Sequence, residues 1–152
     1  MFQDSSILKR RHQKFIKTVS ENGIVYVLKN KNGFATSSSI NFEDEKGNSI
    51  GMICFWAEKT RAKSCIKGEW KKYKVNEISL VDFLENWCIG MAIDSLIIGT
   101  EFDQNMFGFE AEPLELLLEL VTELKSIGKN LNFKKFNGVN DLEKEVKEII
   151  KE

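Results

Sequence analysis

The sequence predicts an α+β fold: a single domain with a mostly antiparallel sheet of about five strands packed against three to four helices. Three observations predict it. Apolar positions switch several times between a helical period and strand-like alternation along the chain. The strand-like runs lie close together and are separated by short polar turns, as hairpins are. The 152 residues, 42% hydrophobic and 30% charged, suit one ordinary globular domain with a sizeable core.

The elements follow in order. From Asp4 to Asn22, Leu8, His12, Phe15, Ile16 and Val19 recur at helical spacing, and Asn22-Gly23 makes a stop. Ile24–Lys29 is rich in β-branched and aromatic residues. A turn at Asn30, Asn32 and Gly33 leads into a second strand, FATSSSI, so a hairpin is expected. Asn41 to Asn48 reads as a polar loop and Ser49–Trp56 as a strand. Glu58 to Tyr73 is expected to be one helix, with Ala62, Ile66, Trp70 and Tyr73 on its apolar stripe. Val75 to Leu80 reads as a short strand or connector. Ser79 is a suitable N-cap for a helix whose stripe is Leu80, Phe83, Leu84, Trp87 and Met91. Ser95–Phe102 reads as a buried strand, Asp103 to Asn105 as a turn, and FGFEAE as a short extended segment. Pro113 stands where a first helical turn favours proline; Leu114, Leu117, Leu118, Val121 and Leu124 continue that helix, and Gly128 closes it.

Composition changes after Gly128. Residues 1–128 are expected to form the core domain. Residues 129–152 form a C-terminal extension, packed on the core or at an interface. In it, NLNFKKFNG suggests one more short strand. Asn140 and Glu143 resemble a capping box, and Leu142, Val146, Ile149 and Ile150 mark a final amphipathic helix.

The formal net charge of −1 provides no global field to attract nucleic acid or acidic lipid. No apolar run approaches the roughly 18 residues that span a bilayer, and the first residues lack a signal-peptide core. Cys54, Cys65 and Cys88 are an odd, widely spaced set that suits a reducing compartment, so the cytoplasm is expected. There is no CxxC pair, and His12 is the only histidine, which leaves too few ligands for structural zinc.

Several segments together carry a family resemblance: RHQKFIKTV, VYVLKNKNGFA, CFWAEKTRAKSCIKGEW, ISLVDFLENW, IIGTEFD and GFEAEP. In this order the chain resembles the bacterial proteins grouped as domain of unknown function 2750, over roughly residues 10 to 124. The resemblance implies a small cytosolic bacterial domain and no particular reaction. The family pattern favours a small hydroxyl residue where this chain has Ala57, and a proline where it has Ile89. The architecture is also similar, at fold level alone, to the N-terminal domain of type III secretion enhancer proteins.

Four features carry candidate chemistry. The first is acidic: Glu101, Asp103, Glu110, Glu112 and Glu115, in a stretch from Glu101 to Glu123 that has seven acids and no base. Such carboxylates can hold a divalent cation or pair as acid and base. They can equally complement a helix dipole or lie on a solvated face. The second is aromatic: Trp56, Trp70, Trp87 and Tyr73 can line a pocket, although helical stripe position assigns Trp70 and Trp87 to the core. Trp56 alternates with Phe55, so one of the two faces away from the core. The third is the basic set of Lys59, Arg61, Lys63, Lys67, Lys71, Lys72 and Lys74, a phosphate-contacting face, a solvated one, or a patch complementary to the acids. The fourth, His12 with the cysteines, lacks the spacing of a nucleophile–base pair and suits a buried or interfacial histidine.

The expectation is therefore a non-enzymatic binding module with no catalytic residues, no cofactor and no metal, and with Trp56, Glu101, Asp103, Glu110 and Glu112 as candidate binding residues. Its partner would be a protein or a second copy of itself, not nucleic acid or membrane. Two alternatives are an immunity-type or secretion-accessory protein that binds a charged partner, and a small metal-dependent hydrolase using Asp103, Glu110 and Glu112.

Overall fold

Helix α1 (Ser5–Asn22) buries His12, Phe15, Ile16 and Val19 and stops at Gly23, whose φ of +73° suits glycine. The computed structural model describes residues 5–151; Asp4, expected at the start of this helix, lies outside them. The chain then passes through β1 (Ile24–Asn30), β2 (Gly33–Phe34), β3 (Ser37–Glu43) and β4 (Ser49–Phe55). Next come α2 (Lys59–Ser64), a 3-10 turn (Gly68–Trp70) and β5 (Lys74–Ser79). An unbroken helical rod follows, built from α3 (Leu80–Asp82), a π-helical segment (Phe83–Cys88) and α4 (Ile89–Ile93). β6 (Ile97–Thr100), β7 (Phe109–Ala111), α5 (Pro113–Ser126) and α6 (Val139–Lys151) complete the described chain.

The fold is α+β, with the strands divided between two sheets. One has the order β2-β1-β5 and the other β3-β4-β6-β7. All pairings are antiparallel except β4 with β6. The sheets are joined where Tyr26 and Trp56 exchange backbone hydrogen bonds of 2.8 and 3.0 Å. The expected hairpin after β1 is present only as the two-residue β2. The chain then turns at Ala35–Thr36 and β3 enters the other sheet, running to Glu43, where a loop from Asn41 was expected.

Alternation along β4 divides the core. Met52, Cys54 and Trp56 point into a cluster with Leu28, Ala62, Cys65, Trp70 and Phe102. Phe55 points the other way, into a larger cluster with Phe15, Val27, Phe83, Leu117 and Leu120. Both faces of β4 are therefore covered, and the alternation of Phe55 and Trp56 leaves neither exposed.

The expected helix from Glu58 to Tyr73 stops at Ser64. Gly68 has φ +57°, a conformation that continues no right-handed helix, and the chain resumes as the 3-10 turn. Ala62, Ile66, Trp70 and Tyr73 nevertheless share the smaller cluster, so the stripe marked burial and not helical continuity. Ser79 accepts the Asp82 N–H at 3.1 Å, and Pro113 opens α5. Gly128 closes α5 with φ +67° and a Lys129 N–H to Leu124 carbonyl bond of 2.8 Å.

Residues 130–138 form no strand. Their backbone is held by side chains: the buried Glu85 carboxylate accepts the Lys135 N–H, and Asn130 Oδ1 accepts the Val139 N–H at 2.9 Å. Asn130 thus does what was expected of Asn140, which lies inside α6. Val139, Leu142 and Val146 of α6 are buried in the larger cluster.

Candidate functional site

The segment from Gly99 to Asp103 leaves β6 and organises most of the polar chemistry. Thr100 is fully buried, and its hydroxyl lies 2.8 Å from His12 Nδ1. On the other side of the ring, His12 Nε2 lies 2.9 Å from Glu119 Oε1. An ionised carboxylate only accepts, so Nε2 donates to Glu119, while Nδ1 shares the second hydrogen bond with the Thr100 hydroxyl. Phe109 stacks on the imidazole at 4.1 Å between centroids.

A hydroxyl, an imidazole and a carboxylate in series have the connectivity of a nucleophile, a base and an orienting acid. The burial of Thr100 removes that chemistry, because its hydroxyl has 0% exposure and no substrate can approach it. The trio is a polar tie between α1, β6 and α5, buried at Thr100 and His12 and open to solvent at Glu119. His12 was recognised in the sequence as a buried histidine; Thr100 and Glu119 were not, because their partner is about a hundred residues distant in the chain and local spacing carries no trace of it.

The next residue, Glu101, adopts φ +54° and turns its carboxylate the opposite way. Oε1 accepts the Ala57 N–H at 2.6 Å and Oε2 meets Arg61 Nε at 3.1 Å. Burial pushes the carboxyl pKa up from its ordinary value, opposed by the Ala57 N–H and Arg61. Phe102 enters the smaller cluster, and its carbonyl accepts the Trp56 indole N–H at 2.8 Å. Asp103 folds its own loop, Oδ1 accepting the N–H groups of Asn105 and Phe107, while Oδ2 meets Arg11 at 3.2 Å. Between α1 and α2, Arg11, Lys14, Arg61 and Glu101 border a crevice of about 30 Å³. That is room for water and not for an organic ligand.

Glu110 is also committed to structure. β3 shifts register between Ser38 and Glu43, which leaves backbone donors without a ladder partner. The Glu110 carboxylate reaches across from β7 and accepts the Ser39 hydroxyl, the Ile40 N–H at 2.9 Å and the Asn41 N–H at 3.2 Å. Gly99, its cross-strand partner, leaves space on that face: a Cβ there would stand 2.7 Å from the Phe102 ring and 2.9 Å from Cys54 Sγ.

The five candidate residues are therefore not brought to one surface. Trp56 has 0% exposure, Glu101 6% and Glu110 8%, and Asp103 is half-buried; Glu112, the residue before α5, is exposed. Among the described residues no group of three or more metal-ligating side chains converges. The basic set differs from the acids. Apart from Arg61, its members are exposed lysines.

Among the described residues, open grooves of about 440 and 430 Å³ lie beside Glu119 and Thr122 and beside Asn41 and Glu110, and two more are found elsewhere on the surface. One, of about 440 Å³, has Phe42, Ile50, Leu96 and Leu114 in its wall and Glu112, Glu115 and Ile150 at its border. The other, of about 550 Å³, lies between the start of β3 and the 3-10 turn.

Fold and site together define a small α+β domain whose buried polar groups tie its elements together and whose concavities are open grooves. The sequence pattern of one family, described as protein of unknown function (DUF2750), matches residues 12–120, and the chain belongs to that family. No curated protein and no solved structure matches the chain.

Proposed function

We propose that this chain is a non-enzymatic interaction module of the cytoplasm that docks a protein partner in the apolar groove between α4, β4 and the start of α5. The observation that carries this reading is apolar surface left in the open. Ile93, next to the groove residue Ala92, is 76% exposed, and Ile150 on the groove border is 50% exposed. Exposed apolar side chains gathered around a concavity with a polar rim are the usual mark of a protein contact. Glu112 and Glu115 give that rim negative charge, so the fitting partner presents apolar side chains flanked by basic ones.

Three free, buried cysteines support a reducing compartment. Among the described residues no helix is long and apolar enough to cross a membrane. The metal-dependent reading gains no such support, since Glu110 is bound to the β3 bulge and Asp103 to its own loop and Arg11.

The test is capture from cells that naturally carry the gene, with Ile93→Asp and Glu112→Lys combined in one variant as the control. The reading expects a protein retained by the wild type to be lost from the variant while the thermal midpoint is unchanged. An identical set of captured proteins would overturn it.

A further inference from the structure

Helix α6 lies beyond residues 12–120, the part of the chain that the family pattern matches. Leu142, Val146, Ile149 and Ile150 form one apolar stripe at helical spacing. Leu142 and Val146 are fully buried in the larger core, whereas Ile149 is 46% exposed and Ile150 50%. The stripe runs on past the core it covers, and at its end Ile150 enters the wall of the apolar groove. The rest of that wall, from Phe42 to Glu115, lies within the matched residues.

The helix is fixed where it stands. Val139, Leu142 and Val146 anchor it in the core, and Lys125 Nζ of α5 donates to Glu143 Oε1 at 2.9 Å. Ile150 stays half exposed beside a concavity of about 440 Å³, so the end of α6 borders the groove and does not plug it. An apolar side chain already held at a groove wall gains burial when an occupant arrives, with little ordering cost. Charge narrows the occupant. The lining holds two acids, Glu112 and Glu115, and no lysine or arginine. Such a rim disfavours an acidic lipid surface or a phosphate backbone and favours a basic partner.

We infer that the end of α6 determines which partner the groove accepts: Ile150 completes the wall against an apolar side chain of a protein segment that carries lysine or arginine beside it. The inference rests on the groove being a docking site. It adds that the selecting contact comes from a helix outside the family pattern.

The experiment is fluorescence anisotropy of the purified full chain with a labelled peptide alternating leucine and lysine. An alanine–lysine peptide, a leucine–glutamate peptide and acidic phospholipid vesicles are the comparison probes. The wild type is expected to bind the leucine–lysine peptide saturably and the other probes more weakly. Ile150→Ser is expected to weaken the leucine–lysine peptide by about fivefold, the worth of burying the exposed half of an isoleucine. It should leave the alanine–lysine peptide, which has no large side chain to set against Ile150, unchanged. The thermal midpoint is expected to hold; if it falls, Ile150→Ala is read the same way.

Ile93→Asp/Glu112→Lys separates the two readings, because it alters the groove and leaves α6 intact. If that variant loses the peptide and Ile150→Ser keeps it, the groove remains a docking site and the role of α6 is overturned. No binding by the wild type, or unchanged binding in both variants, overturns both readings. Equal loss of the alanine–lysine peptide in Ile150→Ser overturns the selecting role. Equal binding of the leucine–glutamate peptide, or binding to the vesicles at least as tight, overturns the choice of a basic protein segment. So does a dimer in sedimentation equilibrium that Ile150→Ser dissociates, which makes the occupant a second copy of the chain.

Discussion

At the scale of single residues, the acids that look most like chemistry in the sequence are structural. Glu110 replaces the missing ladder partners of the β3 bulge through three hydrogen bonds. Glu110→Ala leaves those donors without their acceptor; the Ser39 hydroxyl is buried, and a buried donor so orphaned costs about 1–3 kcal/mol, whereas the exposed Ile40 and Asn41 can turn to water. A loss of about 1–3 kcal/mol in urea unfolding is expected, with Glu110→Gln less severe. Glu101 gives a pH signature. Burial raises its pKa above the ordinary 4.5, so the folded chain holds that proton more tightly than the unfolded one. Its contribution to stability is fully present below that ordinary value and is lost as pH rises through the raised folded one. Glu101→Gln does not titrate. The stability of the wild type relative to E101Q should therefore decline as the pH rises above the ordinary 4.5, measured by chemical denaturation at each pH. A flat or rising difference would contradict the assignment. None of this was legible from residue type, since a carboxylate engaged across the fold and one on a solvated face have the same one-dimensional appearance.

At the scale of elements, punctuation was the most readable part of the chain. Gly23, Ser79, Pro113 and Gly128 act where local chemistry places them. The exception is instructive. An apolar stripe from Ala62 to Tyr73 predicts one helix, yet Gly68 takes φ +57° and the segment is held by its contacts with the smaller core. Burial periodicity survived where helical geometry did not, because tertiary contacts override a short local pattern. Gly68→Ala should cost about 1 kcal/mol, the penalty for a side chain in the left-handed region. The link between α5 and α6 rests on another hidden acid. Glu85 projects from the π-helical segment to hold the Lys135 N–H. Glu85→Ala should speed amide exchange across residues 129–138, read by mass spectrometry, with the β4 amides unaffected.

At the scale of the molecule, the α+β class and the order of its elements were readable from hydrophobic periodicity. The division into two sheets and two cores was not. It depends on the Tyr26–Trp56 exchange and the turn at Ala35–Thr36, long-range events with no signal in local spacing. The same limit applies to the surfaces. Ile150 comes to line one groove with Ala92, the neighbour of Ile93, and with Glu112 and Glu115 only after folding. Acids and apolar side chains from distant segments thus border one concavity. The central claim, that this groove holds a protein partner, is tested most directly by site-specific photo-crosslinking in cells that carry the gene. A photoreactive residue at Ile93 or Ile150 is predicted to give a discrete adduct with one protein, while the same residue at the exposed Thr122 gives none. Absence of an adduct from both Ile93 and Ile150, or the same adduct from Thr122, would contradict the account.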